Sequence, residues 1–542
     1  MQNVFIQYIF LILIILGLVM LSNRIKIAYP IVLVLGGLLL SFTSIFSNVT
    51  IDPELVFFIF LPPLLYEAAW QTSWKEFWKW RRIIMSFAFP IVIITSCVIA
   101  FASRAFIPGF TLALGFLLGG IISPPDAISA TTIMRNVQVP KSLLSIIEGE
   151  SLLNDASSLI VFRFALAAMI TGQFHLAQAA TNFGLVVVMG TLIGLAIALG
   201  SFAIHRWLPT TSNIEIVLSV ITPYCMYYAA EHFHFSGVLA VVSGGLFLSN
   251  KRQTMMNYRS RLEGINVWTN IVFVLNGVVF LLIGLQLPSI VQQLGDISLG
   301  RAIFYGLGVS LLLIITRFVC TFGAGVFTRI MSRFITVADP NPGWKPPIII
   351  GWAGMRGVVS LAAALSIPIV QGAKPFPYRN LILFITFIVI LVTLVLQGLT
   401  LPWLIKKINL EDKYSRLSEE EQERIIQKKI AKTSLQLLEE KYGKERANNQ
   451  RLNNYMARLQ IDVDLLQPDD ESNGTTEDSV KAFHNIYLEV LEQQRELLNK
   501  MNQVSEFNED LIRKYLALID IEEYKLRERQ LTAVDDTDEY TT

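Results

Sequence analysis

Two carboxylates lie in this sequence where apolar surroundings make them costly. Asp126 follows Ser123-Pro124-Pro125, and Asp155 follows Glu148 and Glu150, each inside a long apolar stretch. An ionised side chain at mid-bilayer costs roughly 2.5–3.5 kcal/mol on insertion scales, so it persists there only with a task. On a helix, Ser151 and Asp155 stand four residues apart and share a face, with Glu148 one turn earlier. Glu150 and Asn154 form the neighbouring stripe. Two carboxylates, an amide oxygen and a hydroxyl are hard oxygen donors suited to a small hard cation. A carboxyl group held out of water beside a second one keeps its proton to higher pH. A proton and a metal ion then compete for the same oxygens near neutral pH. If each excludes the other, and the empty site cannot turn over, exchange follows.

Such a site needs helices that break at membrane depth. Pro124 and Pro125 lack amide hydrogens and interrupt a helix just before Asp126. Gly351, Gly354 and Gly357 loosen another around Arg356. Irregular backbone at that depth is tolerated only where it is buried in protein or lines a wet cavity. Thirteen apolar segments run from 4–21 to 380–405, with the interruptions in the fifth (110–133) and twelfth (347–369) and Asp155 in the sixth (143–170). The fifth and twelfth are the fifth members of two sets, spans 1–6 and 8–13, of opposite orientation. Interrupted helices at matching positions of inverted halves mark a transport site. The expected fold is an all-α polytopic membrane protein with about 13 transmembrane helices, two inverted six-helix repeats and broken helices at the ion site.

Composition agrees. Of 542 residues, 53% are hydrophobic and only 16% charged, against roughly 25% charged in soluble domains. A soluble enzyme, a fibrous protein and a disordered chain are excluded. The net charge of +1 conceals a division: 13 acidic and 25 basic residues in 1–410, a net of +12, against 30 and 19 in 411–542, a net of −11. We expect a transmembrane domain over 1–410 and an acidic, helical, water-soluble tail over 411–542. With the tail in the cytoplasm and the amino terminus outside, the inside loops hold 18 basic residues and the outside loops 4, as the positive-inside rule requires. The 4–21 segment reads as a first membrane helix, not a cleaved signal. Cys97, Cys225 and Cys320 sit in apolar runs with no disulfide or metal spacing.

Each charge has a blander reading. Asp126 and Asp155 can cap broken helices or pair with arginine. Glu150 is a possible ligand, but an ion pair with Arg356 is the stronger expectation, since neither charge stays alone in a bundle. Arg163 and Arg317 read as structural or snorkelling. Glu67, after Pro62-Pro63, either lines a cation path or makes a helix-packing hydrogen bond. Trp70, Trp74, Trp78 and Trp80 beside Lys75, Lys79, Arg81 and Arg82 form an interfacial belt. Residues 251–268 suit an amphipathic linker.

Four ordered segments then resemble a known family: FLPPLLYEAA at 60–69, SPPDAISA at 123–130, GESLLND at 149–155 and GMRGVVSLA at 354–362. They resemble the sodium/proton exchangers, the NhaP-type bacterial antiporters and their animal relatives, over essentially 1–410. The resemblance implies a 13-helix inverted-repeat fold, a homodimer with a dimer domain and a moving core domain, and a plasma-membrane location. It makes Asp155 the principal cation and proton carboxylate, Asn154 its motif partner, Ser151 a ligand one turn away and Asp126 the acid of the broken fifth span. It makes Glu150 and Arg356 an ion pair holding the core. Asn at 154, where electrogenic relatives carry a second Asp, implies electroneutral exchange of one Na+, K+ or Li+ for one H+. Two positions depart from the family pattern: Pro125-Asp126 stands where exchangers often read Asp-Pro, and Glu67 where many have Asp. No resident cofactor and no nucleic-acid partner are implied; the partners are the transported ions, lipid, a second copy and a regulator of the tail. A cation channel and an intramembrane aspartyl protease using Asp126 and Asp155 are the competing classes.

In the tail, Ser418-Glu-Glu-Glu421 has capping-box form, and Gly443 closes the helix that follows. A second helix is expected through 446–466, a linker at 467–479, and further helices near 480–503 and 508–531. No phosphate-binding glycine loop is present. The tail reads as regulatory or dimerising, or else as a solvated extension without a transport role.

Overall fold

The computed structural model describes residues 2–43, 56–134, 137, 139–172, 176–292, 294, 297–341, 343–371, 374–410, 419–442, 449–465, 475–501, 515–516, 518–524 and 526. The chain forms two compact units, Met1–Asp412 and Lys413–Thr542. Among the described residues the first is almost entirely helical; its strands there are a two-residue antiparallel pair, Val370–Gln371 with Lys374–Pro375.

The helices of the first unit, in chain order, are α1 (Gln2–Ile25), α2 (Tyr29–Leu40), α3 (Leu61–Gln71), α4 (Trp74–Ser86), α5 (Val92–Phe106), α6 (Leu112–Ile122), α7 (Ala127–Met134), α8 (Lys141–Thr171), α9 (Leu176–Trp207), α10 (Ser212–His232), α11 (Gly237–Met255), α12 (Tyr258–Leu285), α13 (Leu287–Gln292), α14 (Leu299–Met331), α15 (Lys345–Trp352), α16 (Val358–Leu365), α17 (Arg379–Val392) and α18 (Gly398–Ile408). Each of the thirteen apolar segments carries helix. Among the described residues, seven helical stretches are long and apolar enough to cross a membrane by length and composition alone. Their outer surface is greasy: Phe101, Phe304 and Val319 are 60–69% exposed, which suits hydrocarbon and not water.

Packing sorts these helices into two bundles. One joins α1–α3 with α9–α12, the other α4–α8 with α14–α18; contacts inside each are dense and those across the seam sparse. Glycine sets the tight spots. A Cβ on Gly115 or Gly119 of α6 would fall 2.5–2.7 Å from the Ala100 and Ser96 carbonyl oxygens of α5, so the two backbones touch as in small-residue membrane packings.

Two spans break. α6 ends at Ile122 and α7 begins at Ala127; α15 ends at Trp352 and α16 begins at Val358. The residues between, 123–126 and 353–357, are the Pro-Pro and Gly-rich runs. The linker expected at 251–268 takes another form. α11 continues to Met255 and α12 starts at Tyr258, because Asn257 caps α12 by accepting the Ser260 amide at 2.9 Å. In the indole cluster, Trp74 and Trp78 are exposed, but Trp80 is buried and donates to Glu76 at 3.1 Å.

In the second unit, α19 spans Glu419–Tyr442, α20 spans Gln450–Leu465 and α21 spans Thr475–Met501. α19 and α20 form a hairpin around Ala431, Leu435, Met456 and Leu459. α21 starts earlier than the linker expectation allowed. Ser418, Gly443 and most of 508–531 fall outside the described residues.

Candidate functional site

The two broken spans meet. The Asp126 amide donates to the Met355 carbonyl at 2.7 Å, joining the two unwound segments directly. Breaking α6 leaves its last carbonyls without intrahelical donors, a serious cost away from water. Arg356 supplies the donors. Its Nε bonds the Ile122 carbonyl at 2.8 Å, one terminal nitrogen bonds that of Ser123 at 3.0 Å, and the other that of Gly354. A cation at a helix carboxy terminus also opposes the helix dipole. The Arg356 amide donates to Thr393 Oγ1 at 3.1 Å, so the backbone is held as well as the side chain.

This corrects one expectation. Glu150 does not pair with Arg356. Its carboxylate takes a two-pronged ion pair from Arg317 of α14, at 2.5 and 2.6 Å, with both side chains buried. Arg356 is engaged by the carbonyls of α6, so the guanidinium free to match Glu150 in planar, bidentate fashion is Arg317. Arg317 is therefore neither snorkelling nor peripheral. Arg163 pairs with Glu231 at 2.7 Å.

α8 crosses behind the first break and supports it. Ser151 Oγ accepts the Ala127 amide at 3.1 Å, and Asn154 Nδ2 donates to the Pro125 carbonyl at 3.0 Å. These side chains partner backbone groups that the break leaves without a helical partner. Asn154 is fully buried, and its Oδ1 meets no hydrogen-bond donor. It props the break and is absent from the cavity wall described next.

The two carboxylates differ. Asp126 caps α7: Oδ1 accepts the Ile128 amide at 3.0 Å and Oδ2 the Ser129 hydroxyl at 2.9 Å. The capping reading is correct for Asp126, yet the same carboxylate also faces open space. Asp155 is buried among helices, and among the described residues its carboxylate takes no hydrogen bond from the protein. Both line a cavity of about 400 Å³ together with Ser151, Glu148 and Glu67. Glu67 also accepts from Gln71, one turn on. The opposite wall belongs to the other bundle, with Tyr29 on α2 and Phe273 and Asn276 on α12. Gly357 lies against Asp126: a Cβ there would fall 2.5 Å from Oδ2. The unwound segment can pass the carboxylate only as glycine.

Sequence reasoning thus finds Asp126, Asp155, Ser151 and Glu67 at one cavity, and Glu150, Asn154 and Arg356 immediately behind it. It misses Tyr29, Asn276 and the role of Arg317. A polar amide at 276 inside an apolar segment was the available signal. No sequence signal distinguishes one buried arginine from the other.

The comparisons with known proteins agree with this geometry. Residues 10–407 match the family described as sodium/hydrogen exchanger, transmembrane. A sodium, potassium, lithium and rubidium/H(+) antiporter of Bacillus pumilus is 33% identical over 413 residues, 73% of this chain and 61% of that protein. The chain thus spans about three fifths of that relative's length, and much the same of its Bacillus subtilis counterpart. The low-affinity Na(+)/H(+) antiporter NhaS1 of Synechocystis is 32% identical, over 71% of this chain and 70% of its own. Among solved structures, the sodium proton antiporter MjNhaP1 of Methanocaldococcus jannaschii superposes with a TM-score of 0.58 at 16% identity, covering 76% of this chain and all of that one; it shares the fold. With two broken helices crossed at buried carboxylates, and a family match over most of its length, the chain belongs to the transmembrane sodium/hydrogen exchanger family.

Proposed function

We propose that this protein is a secondary active antiporter, not an enzyme, exchanging a monovalent cation for H+ by alternating access. Na+ is the favoured ion, with K+ and Li+ the alternatives. One observation carries the proposal: among the described residues the Asp155 carboxylate takes no hydrogen bond and faces a cavity of about 400 Å³, beside an Asp126 fixed at the crossing of two unwound helices. A carboxylate with no protein donor is left open to water, a proton or a cation. Asp126 and Ser151 add hard oxygens from the same wall. The unwound backbone between α6 and α7 adds dipoles that no regular helix presents.

The sparse seam between the two bundles supports the conformational part. The carboxylates belong to the bundle of α4–α8 and α14–α18, and the facing wall to the other. Sliding one bundle past the other closes the cavity on one side and opens it on the opposite side. Residues 1–410 are the transport domain in this reading, in the cell membrane, with the amino terminus outside and 411–542 a regulatory cytoplasmic tail. Likeness to the family favours a homodimer, two inverted repeats and one-for-one exchange.

Reconstitution into liposomes with a trapped pH dye tests the proposal. A cation gradient is expected to drive proton movement in the opposite direction, and Asp155→Asn to abolish it while the protein still folds. Competition at one carboxylate makes the apparent KM for the cation rise as pH falls, approaching about tenfold per pH unit. Cation-driven proton movement that persists in Asp155→Asn, or a KM indifferent to pH, would refute the shared-site mechanism.

A further inference from the structure

Several apolar positions of the acidic tail recur at a fixed offset. At an offset of 60 residues and without a gap, Ile426 aligns with Ile486, Ile430 with Val490, Leu437-Leu438 with Leu497-Leu498, Leu452 with Ile512, Tyr455 with Tyr515, Ala457 with Ala517, Leu459 with Ile519, Ile461 with Ile521 and Leu466 with Leu526. The recurrence is one of apolar spacing along the helices and is not complete, since Leu435 of the α19–α20 cluster falls opposite Arg495. Burial repeats too. Ala431 and its equivalent Leu491 are buried, as are Leu459 and Ile519, whereas Tyr455 and Tyr515 are both exposed. α19 packs on α20, and α21 meets the helical residues between 515 and 526 through Arg495, which pairs with Asp520 at 2.8 Å and with Glu523.

α19 and α21 each leave one face uncovered. Ile426, Ile430 and Leu437 on α19, and Ile486, Val490 and Leu497 on α21, recur at positions 0, 4 and 11 of their stripes. All six are 43–61% exposed. Positions 0, 4 and 11 fall on one side of a helix and form the seam of a coiled coil. The two stripes belong to the same compact unit, yet among the described residues neither covers the other.

The flanking charges select a partner. Three and ten residues into each stripe, on the same flank, α19 carries Lys429 and Gln436, and α21 carries Glu489 and Glu496, with Lys429, Gln436, Glu489 and Glu496 all exposed. In an antiparallel pair, position 3 of one helix lies beside position 10 of the other. α19 against α21 then sets Lys429 beside Glu496 and Gln436 beside Glu489. Two α21 stripes together would set Glu489 against Glu496 twice, a repulsive arrangement that disfavours it.

We propose that the tail is a self-association surface, in which the α19 stripe of one chain docks antiparallel on the α21 stripe of a second copy, and the reverse. A twofold axis makes the two contacts equivalent, so the assembly closes as a dimer and covers all four stripes.

The test uses full-length protein with Cys97, Cys225 and Cys320 replaced by alanine, in native membranes. Two differently tagged chains are co-expressed, one bearing Leu437→Cys and the other Ile486→Cys, and mildly oxidised. Position 11 of one stripe opposes position 0 of the other, so a disulfide-linked heterodimer is expected. Leu437→Cys paired with Leu497→Cys, both at position 11, is expected to link poorly. Lys429→Glu should lower the yield several-fold, and Glu496→Lys on the other chain should restore it. Both cysteine positions are solvent-facing, so folding is not at stake. Equal linking of the 437/486 and 437/497 pairs overturns the proposal, as does no linking at all. A link that forms only when one chain bears both cysteines also overturns it, and assigns the stripes to each other within a single copy.

Discussion

Replacing Glu150 or Arg317 singly should be among the most damaging changes available in the transport domain. The pair is bidentate at 2.5 and 2.6 Å, and the side chains are only 2% and 5% exposed. Removing one partner leaves an uncompensated charge among helices, at a cost of about 3–5 kcal/mol. Removing both, as Glu150→Gln with Arg317→Met, takes away the stranded charge and should recover much of the loss. A double-mutant cycle should then give a coupling of about 3 kcal/mol, the upper end for residues in direct contact. Arg356 provides the control. It feels the Glu150 and Arg317 charges with opposite sign, and its hydrogen bonds run to backbone carbonyls and not to Glu150. The Glu150–Arg356 coupling should therefore be about 1 kcal/mol or less. Thermal unfolding of detergent-solubilised protein, followed by loss of the monodisperse peak in size-exclusion chromatography, ranks the variants. The reasoning fails if the larger coupling appears between Glu150 and Arg356, or if the double variant is no more stable than the worse single one.

Other outcomes follow from the same crossing. Asp126→Asn should abolish exchange with little loss of stability, because asparagine still caps α7, whereas Asp126→Ala should cost about 1 kcal/mol more in the same unfolding assay. Gly357→Ala should eliminate transport, since its Cβ would come within 2.5 Å of the Asp126 carboxylate; wild-type flux in that variant would show that the two segments do not pass so closely. Ser151→Ala strands the Ala127 amide and should destabilise by about 1–3 kcal/mol, raising the KM for the cation more than it lowers the maximal rate. Removing the Asn154 prop as Asn154→Ala should similarly loosen the Pro125 carbonyl, seen as a lower unfolding temperature.

The apolar segments, the two interruptions and the acids beside them were legible because each is a local property. Hydropathy reports burial in lipid, proline and glycine report a break, and a charge inside such a run reports a site. Partner choice was not local. Glu150 lies between two buried arginines of α14 and the second break, and which one it takes depends on where the free carbonyls of α6 fall. Those carbonyls have no signature of their own; Ile122 and Ser123 need donors because the amides four residues on, of Asp126 and Ala127, are turned to Met355 and Ser151. The double role of Asp126 was hidden for the same reason, since a cap and a ligand call for the same side chain. In the tail, composition pointed to charged helices but obscured the apolar stripes on α19 and α21, which share one spacing at an offset of 60 residues.

The crossing also has a charge ledger. Counted over the two breaks alone, Glu150, Asp126 and Asp155 stand against Arg317 and Arg356, a single negative charge in excess there; Glu67 and Glu148 add two further carboxyls on the cavity wall. One proton cancels the excess at the breaks, and so does one Na+, but a divalent ion overshoots. Under the proposed exchange, the two loaded forms therefore carry the same charge across the membrane. The work each does against the transmembrane potential is then equal, where each charge counts for about 2.3 kcal/mol per 100 mV. The empty form keeps its excess charge and pays the penalty of carrying it through a low-dielectric seam. Tight coupling of the two fluxes is then a matter of charge balance and requires no separate gate to prevent a wasted return.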